Sequence, residues 1–251
     1  MTQLKSMVAS VPQLPENVDT LPLVSDEWAI LDACVPLEGA RIIELGCGPA
    51  RMARTLLAQY PGAQVVALEV DERQHAKNLA QPLEGLTFVA AGAQNIPFEA
   101  AQFDGALMLK SLHHVPHADM ARALDEVARV LKPGGWLYVS EPVYGGTFNE
   151  IVKCFNDEGV VRAQAQAALD AALQTPHWRA GPVHCFATAV SYSGFEAFDQ
   201  RMMRPTFADH GIDEAKRAHV RAVFEPHMRA DGARFVRPMH VRMLWRTQAP
   251  V

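Results

Sequence analysis

Residues 42–51 read Ile-Ile-Glu-Leu-Gly-Cys-Gly-Pro-Ala-Arg. An apolar run ends at the acid Glu44, two positions before the first of two closely spaced glycines, and a helical pattern follows. The pattern predicts a buried strand, a tight glycine turn and the start of a helix. Such a turn lets backbone approach a ligand closely and aims the N–H groups of the helix at it. The stretch therefore predicts a binding site for a nucleotide-type cofactor.

The glycine pair alone is weak support, because it also occurs in the dinucleotide fingerprint G-x-G-x-x-G. In that pattern the third glycine position would fall on Arg51, whose side chain would disturb close packing of helix on strand. The fuller pattern, acid-x-G-x-G-x-small, ends at Ala50 and has no such conflict. The sequence therefore favours a different kind of cofactor loop.

Strand and helix patterns alternate through the first 140 residues. We predict strands over 41–45, 64–69, 86–91, 103–109 and 136–140, and helices over 50–59, 72–80 and from 117 to the Lys-Pro-Gly-Gly turn at 132–135. Alternation of this kind predicts a parallel sheet that is covered by helices on both faces.

The pattern changes beyond residue 140. Helical stripes begin near Phe148 and Ala165, and later patterns predict a strand over 183–192, a helix over 215–228 and a last strand over 235–245. We expect four parts: an N-terminal lead-in or flap (1–30), a cofactor-binding core (31–146), a helical cap insertion (147–181) and a C-terminal part that completes the sheet (182–251).

The composition is that of an ordinary globular protein, with 49% hydrophobic and 20% charged residues in 251. No apolar run is long enough for a membrane span, and the N-terminus lacks the order of a signal peptide. The four cysteines form no C-x-x-C pair, so neither a zinc knuckle nor a disulfide framework is predicted. We expect a cytoplasmic protein.

The charge is unevenly distributed. A net charge of −5 gives no general attraction to nucleic acid, so no nucleic-acid partner is expected. Residues 200–251 hold 10 of the 23 Lys and Arg but only 5 of the 28 Asp and Glu. This basic stretch is either a solvated surface or a source of attraction for an acidic substrate or partner.

The glycine loop resembles motif I of the class I S-adenosylmethionine-dependent methyltransferases. The resemblance covers roughly residues 35–142 and is closest to the ubiquinone/menaquinone and sterol methyltransferase-like branch. Its other segments are Val65–Glu69, Asn95–Phe98 with Phe103-Asp104, Leu112–Pro116 and Ala128–Gly135. The resemblance implies a Rossmann-like α/β fold with a seven-stranded, mostly parallel sheet and a helical cap, and S-adenosyl-L-methionine as cofactor.

The resemblance also implies roles for single residues. Gly46 and Gly48 would let the backbone pass the methionine part of the cofactor, and Glu44 would help to hold its amino group. Glu69, 23 residues after Gly46, would hold the ribose hydroxyls. The remaining expected cofactor contacts are Val70 at the adenine face, Gly92, Ala93 and Gln94 at its edge, Lys110 and Ser111 near the sulfonium, and Cys47, which we interpret as a packing residue.

One segment departs from the family. An acid often precedes the alanine that corresponds to Ala93 and accepts from the adenine amino group, whereas this chain has Gly92 there. Gln94 or a water molecule could replace that acceptor. The departure leaves room for altered cofactor chemistry.

Transfer of a methyl group from a sulfonium is an in-line displacement, so positioning supplies most of the catalysis. A base is needed only where the acceptor must lose a proton. His113, just after the fourth strand, is the candidate base, and the alternative is a hydrogen-bonded structural histidine. His113, His114 and His117 have no acidic or thiol partner at ligand spacing, so no metal site is predicted.

Aromatic and basic residues beyond the fifth strand are candidates for an acceptor pocket. The expected substrate contacts are Tyr144, Phe148, His177, Trp178 and Arg204. Aromatic walls can hold a planar acceptor and stabilise a sulfonium. The alternatives are a hydrophobic core inside the cap and, for Arg204, a surface salt bridge.

These patterns favour an enzyme that methylates a small organic acceptor on oxygen, nitrogen or carbon. One alternative is an enzyme that uses the same cofactor for other chemistry, such as cyclisation or transfer of another alkyl group. Another is a cofactor-binding partner subunit without catalysis. The oligomeric state stays open, with a homodimer as one candidate.

Overall fold

The structure, a computed structural model, describes residues 18–205 and 209–248. Its strands are β1 (Leu23–Val24), β2 (Arg41–Leu45), β3 (Gln64–Leu68), β4 (Leu86–Val89), β5 (Phe103–Leu109), β6 (Leu131–Pro142), β7 (Trp178–Tyr192), β8 (Met228–Arg229) and β9 (Gly232–Arg246). Its α-helices are α1 (Trp28–Cys34), α2 (Arg51–Gln59), α3 (Glu72–Leu79), α4 (His117–Val130), α5 (Thr147–Val152), α6 (Gly159–Ala172), α7 (Phe195–Phe198) and α8 (Glu214–Phe224). Residues 1–17 of the expected N-terminal flap lie outside the described residues.

The strands form one mixed sheet in the order β1-β7-β9-β6-β5-β2-β3-β4, with β8 paired to β9. Within the group β2 to β6, all paired strands are parallel. Strand β9 is antiparallel to both of its long neighbours, β6 and β7. The Rossmann-like α/β fold is confirmed. The described residues form nine strands rather than seven, and the additional two, β1 and β8, have two residues each.

Helices cover both faces of the sheet. Successive residues of a strand point to opposite faces, so Ile42 and Ile43 enter different hydrophobic cores. Helices α1 and α2 complete the first core, in which Leu56 is fully buried. Helices α4 and α6 complete the second, with Leu124 and Leu169. The described chain contains no helix that is both long and apolar enough to span a bilayer.

The segment 147–181, expected as a cap, is divided between two places. Helix α6 packs on α4 and covers the sheet, while α5 contacts β9 and α8. Strand β7 begins at Trp178, not at Val183, because Trp178 already pairs with Arg246 of β9. An irregularity in the pairing between Ala180 and Val183 separates the first residues of β7 from the rest, which explains why the sequence pattern places the start too late.

A third hydrophobic cluster, here called the cap cluster, lies beyond the carboxyl end of β6. It joins α5, α7 and α8 to the adjoining ends of β7 and β9 through Phe148, Tyr192, Phe198, Phe224 and Phe235. Ring centroids in this cluster lie 5.0–6.4 Å apart, within the range of favourable aromatic contacts. The cap cluster therefore forms an apolar layer beside the edge of the sheet.

Candidate functional site

The parallel strands β2, β3, β5 and β6 end at a common edge of the sheet. Leu45 lies opposite Leu68, so β2 and β3 end at the same level. The predicted cofactor residues Gly46, Glu69 and Lys110 each directly follow one of these strands. Open α/β sheets bind ligands at this edge, and the structure brings these three predicted residues to it.

The glycine turn after β2 has backbone geometry that favours glycine. Gly46 and Gly48 have φ angles of +69° and +51°. The N–H of Gly46 donates to the carbonyl of Leu68 at 3.0 Å, and a Cβ on Gly46 would lie 2.8 Å from Cβ of Ser111. A Cβ on Gly48 would meet no atom within 4 Å. The turn is therefore closed on the Gly46 side and open at Gly48.

Glu69 joins the glycine turn to the tip of β3. The N–H of Gly48 donates to its Oε2 at 2.7 Å, and the N–H groups of Val70 and Asp71 donate to its Oε1 at 2.9 Å each. A carboxylate oxygen can accept two hydrogen bonds, so Oε2 retains one acceptor position beside the turn. The side chain thus has a structural role here as well as the capacity to accept from a ligand hydroxyl.

Glu44 is a buried acid whose second oxygen lacks a partner. The residue is 3% exposed, and Oε2 has no hydrogen-bond donor in the described residues. Burial raises the pKa of Glu44 to about 8, although the backbone N–H of Ala53 and the charge of Lys110 act in the opposite direction. An unpartnered carboxyl in a low-dielectric site is a natural partner for a cationic ligand group.

Cys47 packs inside the turn. Its side chain belongs to the core beneath β2, and burial raises the pKa of the thiol. Nδ2 of Asn78, on α3, donates to the carbonyl of Gly48 at 2.8 Å and so holds the turn from below. A buried thiol with a raised pKa is a poor nucleophile, which supports the interpretation of Cys47 as a packing residue.

The expected adenine contacts lie after β3 and β4, which are adjacent strands. Val70 is 67% exposed, so its apolar side chain is accessible to a planar ligand, and Ala93 is buried. The side chain of Gln94 folds back over Gly92, where an added Cβ would lie 2.5 Å from Oε1. The position that lacks the family's acid is thus covered by an amide that can accept and donate hydrogen bonds.

Lys110 links the sheet edge to the N-terminal segment. Its Nζ lies 3.2 Å from Oε2 of Glu27. The other oxygen of Glu27, Oε1, accepts a longer hydrogen bond of 3.4 Å from the Tyr138 hydroxyl. The next residue, Ser111, is buried and donates to the carbonyl of Leu45 at 2.7 Å. The sequence patterns gave no signal for Glu27, because its partner is 83 positions away in the chain.

His113 is held by a buried acid. It lies in a short 3₁₀ turn, Leu112–His114, and its Nδ1 is hydrogen-bonded to Oε2 of Glu141 at the end of β6. The N–H of Leu112 donates to the other oxygen of Glu141 at 2.9 Å. A carboxylate can only accept, so the Nδ1 proton lies towards Glu141, and a neutral ring would carry its lone pair on Nε2, which lies 3.9 Å from Oε2 of Glu158. This arrangement fixes the orientation of the His113 ring and is compatible with the predicted role as a base, for which Glu141 would be the positioning residue.

A pocket of about 280 Å³ opens beside His113. It lies where β6 and β9 separate beyond their last paired residues, Pro142 and Met239. His113, Lys110 and the α5 residue Phe148 line it. The other sides are formed by the segment after α5 and by Arg201, Met202, Pro205 and His210. The pocket adjoins the cofactor edge through Lys110, so one cavity can hold an acceptor next to the predicted sulfonium position.

Only one of the predicted acceptor residues, Phe148, lines this pocket. The Tyr144 side chain is 45% exposed and donates to Asp157 at 2.9 Å. Trp178 is buried between the sheet and its covering helices at the opposite edge, and His177 is exposed beside it, because β7 begins there. The expected pocket positions of His177 and Trp178 are therefore wrong.

Arg204 is also absent from the pocket lining. Its side chain is 55% exposed and its Nε lies 3.3 Å from Oδ1 of Asp199. The surface salt bridge, which the sequence left open as an alternative, is what the structure contains. Two neighbouring arginines, Arg201 and Arg237, line the pocket instead.

The histidines after β5 do have an acidic neighbour. Ligand atoms of His113, His114 and Glu158 lie within 4.8 Å of one another, and Glu158 comes from the loop before α6, out of reach of any local spacing rule. Nη2 of Arg162 lies 2.6 Å from the Glu158 carboxylate, which puts a fixed positive charge where a cation would bind. Burial and the proximity of His113 lower the pKa of His114. A metal-free site stays a prediction.

Comparison with known proteins supplies independent information on the core. Residues 43–139 match the family model described as a methyltransferase domain. Phthiotriol/phenolphthiotriol dimycocerosates methyltransferase 1 of Mycobacterium ulcerans (strain Agy99) is 37% identical over 114 residues, 43% of this chain and 39% of that protein. Demethylmenaquinone methyltransferase of Clavibacter sepedonicus is 31% identical over 150 residues, 55% of this chain and 58% of that protein. The chain therefore matches about two fifths to three fifths of the length of these relatives.

A solved structure extends the likeness beyond the matched core. The cyclase SpnF superposes with a TM-score of 0.57 at 18% identity, over 88% of this chain and 80% of that one. At such identity the likeness concerns the fold alone. It extends the architectural match to most of the chain, beyond the 43–139 core.

Proposed function

Because residues 43–139 make this chain a member of the class I S-adenosylmethionine-dependent methyltransferases, we propose that it transfers a methyl group from S-adenosyl-L-methionine to a small organic acceptor on oxygen, nitrogen or carbon. The curated relatives are matched over only part of their length, so the activity and the acceptor belong to this proposal.

The observation that carries the proposal is the unpartnered oxygen of Glu44. Glu44 is a buried acid with an oxygen that has no hydrogen-bond partner among the described residues, and it lies next to a glycine turn with free space at Gly48. A buried carboxyl of this kind favours a cationic partner. The ammonium group of the cofactor's methionine part would supply a positive charge there, and a nearby opposite charge favours the ionised form of the acid. The residues present therefore fit the cofactor.

The other contacts follow from the same edge of the sheet. The turn of Gly46 and Gly48 would accommodate the methionine backbone, and the remaining acceptor position of Glu69 would take a ribose hydroxyl. Val70 would pack on the adenine, and Gln94 would replace the missing acid at its edge. Lys110, held by Glu27, and Ser111, held by the carbonyl of Leu45, would lie near the sulfonium.

When bound, the cofactor supplies an activated methyl group on a sulfonium, so the protein's main tasks are alignment and exclusion of water. Phe148, Val152 and Phe155, which belong to the cap cluster, line the pocket with apolar surface. His113 would remove a proton from an acceptor hydroxyl or acidic carbon at Nε2, and Glu141 would stabilise the imidazolium that forms.

The test begins with mass spectrometry of the ligand that co-purifies, followed by calorimetry with S-adenosylhomocysteine. A panel of phenols, carboxylic acids and amines is then incubated with S-adenosylmethionine, and S-adenosylhomocysteine formation is measured. Cofactor binding with acceptor-dependent formation of S-adenosylhomocysteine supports methyl transfer. A different cofactor product supports the non-methylating alternative, and binding without turnover in a stable complex with another chain supports the partner subunit. Absence of cofactor binding overturns all three.

We further propose that the protein acts in the cytoplasm, which the four free cysteines support. A homodimer remains a prediction, to be measured by light scattering after size exclusion. An elution mass near 27.6 kDa would contradict it.

A further inference from the structure

We propose that the acceptor carries an anionic oxygen group, a carboxylate or a phosphate, which is bound in the pocket by Arg237, Asn149 and Arg201. The inference deepens the proposed function and rests on it, since the pocket adjoins the cofactor edge. The unexplained feature is a surplus of hydrogen-bond donors and positive charge in a cavity of about 280 Å³.

Arg237 is the central observation. It lies on β9 at the pocket wall, with its guanidinium carbon 5.1 Å from the centre of the Phe148 ring. Among the side chains that the structure describes, no carboxylate lies within ion-pair distance of Arg237. A guanidinium offers five donors in a planar fork that matches carboxylate and phosphate oxygens. A guanidinium left without an acid in a lining position points to an anionic ligand.

The buried amide of Asn149 is the second, independent observation. Asn149 is 7% exposed and lines the same pocket. Nη1 of Arg162 donates to its Oδ1 at 3.0 Å, which fixes the orientation of the amide. Its Nδ2 therefore presents N–H donors, and no acceptor contacts them within the described residues. A buried donor of this kind requires an oxygen atom from a ligand or from water.

The charges of the lining residues do not balance. Lys110 is paired with Glu27 at 3.2 Å, and Arg162 is paired with Glu158 at 2.6 Å. Arg201 instead lies over the Tyr192 ring at 5.7 Å and, like Arg237, has no acid in the described part of the chain. Burial lowers the pKa of Arg237, and the charges of Arg162 and Arg201 lower it further. A bound anion would offset this repulsion.

Part of the remaining lining is apolar and indicates what the rest of the acceptor is like. Phe148, Val152, Phe155 and Met202 line the pocket together with the charged residues. A ligand with an apolar body and one anionic end fits such a lining. His113 lines the same cavity, so the reacting group and the anionic group are held within one pocket. Arg201 and Arg237 belong to the basic stretch 200–251, so part of its positive charge would serve to bind the acceptor.

The test uses protein saturated with S-adenosylhomocysteine and three small probes: benzoate, phenyl phosphate and the neutral benzyl alcohol. Probe affinities are measured by NMR titration for the wild type and for Arg237→Gln, Arg237→Lys and Arg201→Gln. Arg234→Gln is the matched control, because Arg234 lies on the same strand, is exposed and is paired with Asp231. Affinity for S-adenosylhomocysteine and the melting temperature are measured for every variant.

We expect at least one anion to bind the wild type about tenfold or more tightly than benzyl alcohol, because hydrogen bonds to charged groups exceed neutral ones by roughly that factor. Arg237→Gln should abolish this preference, Arg201→Gln should reduce it, and Arg237→Lys should retain part of it. A preference for benzoate identifies a carboxylate acceptor, and a preference for phenyl phosphate identifies a phosphate.

Three results would each overturn the inference. The wild type could bind all three probes with equal affinity, or it could bind neither anion. Alternatively, Arg237→Gln and Arg237→Lys could both prefer the anions over benzyl alcohol as strongly as the wild type does. These outcomes leave the proposed function intact as long as S-adenosylhomocysteine binds. Failure of the wild type to bind S-adenosylhomocysteine would instead contradict the proposed function, whatever the probes do.

Discussion

The backbone N–H of Gly48 donates a hydrogen bond of 2.7 Å to Oε2 of Glu69, which joins the turn after β2 to the tip of β3. Two further N–H groups, from Val70 and Asp71, hold the other oxygen of the same acid. The acid is therefore fixed in position before any ligand arrives. Such preorganisation lowers the conformational-entropy cost of binding, because the side chain is already ordered.

The first prediction concerns Glu69. Glu69→Ala should weaken S-adenosylhomocysteine binding about tenfold or more, because charge-assisted hydrogen bonds to the ligand and to the turn are lost together. Calorimetry measures the affinity. Glu72→Gln is the control, since Glu72 lies three residues further along and is exposed. Equal affinities of Glu69→Ala and the wild type would remove Glu69 from the cofactor site.

The second prediction concerns stability and Glu44. Burial raises its pKa to about 8 in the folded state, whereas an unfolded glutamate has a pKa of about 4.3. The protonated Glu44 side chain therefore contributes its full stability when the pH is below the pKa of the unfolded state. This contribution is lost as the pH rises through the pKa of the folded state. Above pH 8, Glu44→Gln should raise the free energy of unfolding by about 1 kcal/mol or more, because it removes an unpartnered buried charge.

Urea unfolding at pH 4.5 and 8.5 measures this difference, which should be small at the lower pH. The same variant should bind S-adenosylhomocysteine more weakly, since a neutral amide does not attract an ammonium group. A stabilised protein with impaired binding would identify Glu44 as a residue kept for function. A variant that is less stable than the wild type at pH 8.5 would show that the acid is satisfied in the native protein.

The core of the fold was predictable from sequence because its signals are local. The glycine turn, the acid at the end of β3 and the alternation of strands and helices each occupy a short stretch of chain, so periodicity and turn chemistry reveal them. The positions of Glu69 and Lys110 at one edge of the sheet were predictable for the same reason. Parallel strands end at one edge, and the residue after each strand lies there.

The pocket was not predictable in this way, because its contacts join distant segments. Glu141 meets His113 across 28 positions, and Arg237 reaches the pocket from the far end of the chain. No local pattern encodes such pairs. His177 and Trp178 were misplaced because the irregular pairing near Gly181 hid the first residues of β7. Trp178 therefore lies in the sheet, and His177 lies directly before it, rather than in the predicted cap.

The third prediction concerns the pair of His113 and Glu141. In Glu141→Gln, the new amide would direct an N–H at Nδ1 of His113 and favour the tautomer with the proton on Nε2, which cannot act as a base. Rates with acceptors that must lose a proton should fall by about 10²–10⁴, while S-adenosylhomocysteine affinity stays unchanged. His113→Gln should have a similar effect. S-adenosylhomocysteine formation measures the rate.

A structural role for this pair is separated from catalysis by the choice of acceptor. A phenol and a nitrophenol that is already ionised at the assay pH differ in their need for a base. Both variants should slow the phenol far more than the nitrophenolate. Equal losses with the two acceptors would mean that His113 and Glu141 only maintain the pocket.

The last prediction compares the two glycines of the turn. Both have positive φ, so replacement by alanine carries a backbone strain of about 1–2 kcal/mol in either case. Gly46→Ala adds a clash, since its Cβ would lie 2.8 Å from Cβ of Ser111, and it should be the more destabilised variant in thermal unfolding. In Gly48→Ala the added Cβ meets no protein atom within 4 Å, so this variant should lose less stability.

The same variant tests whether the open space at Gly48 receives the cofactor. If it does, the added methyl group would occupy that space and keep the backbone from approaching the ligand closely. Affinity for S-adenosylhomocysteine should then fall about tenfold or more. A folded Gly48→Ala protein with wild-type affinity would show that the cofactor does not lie against this turn.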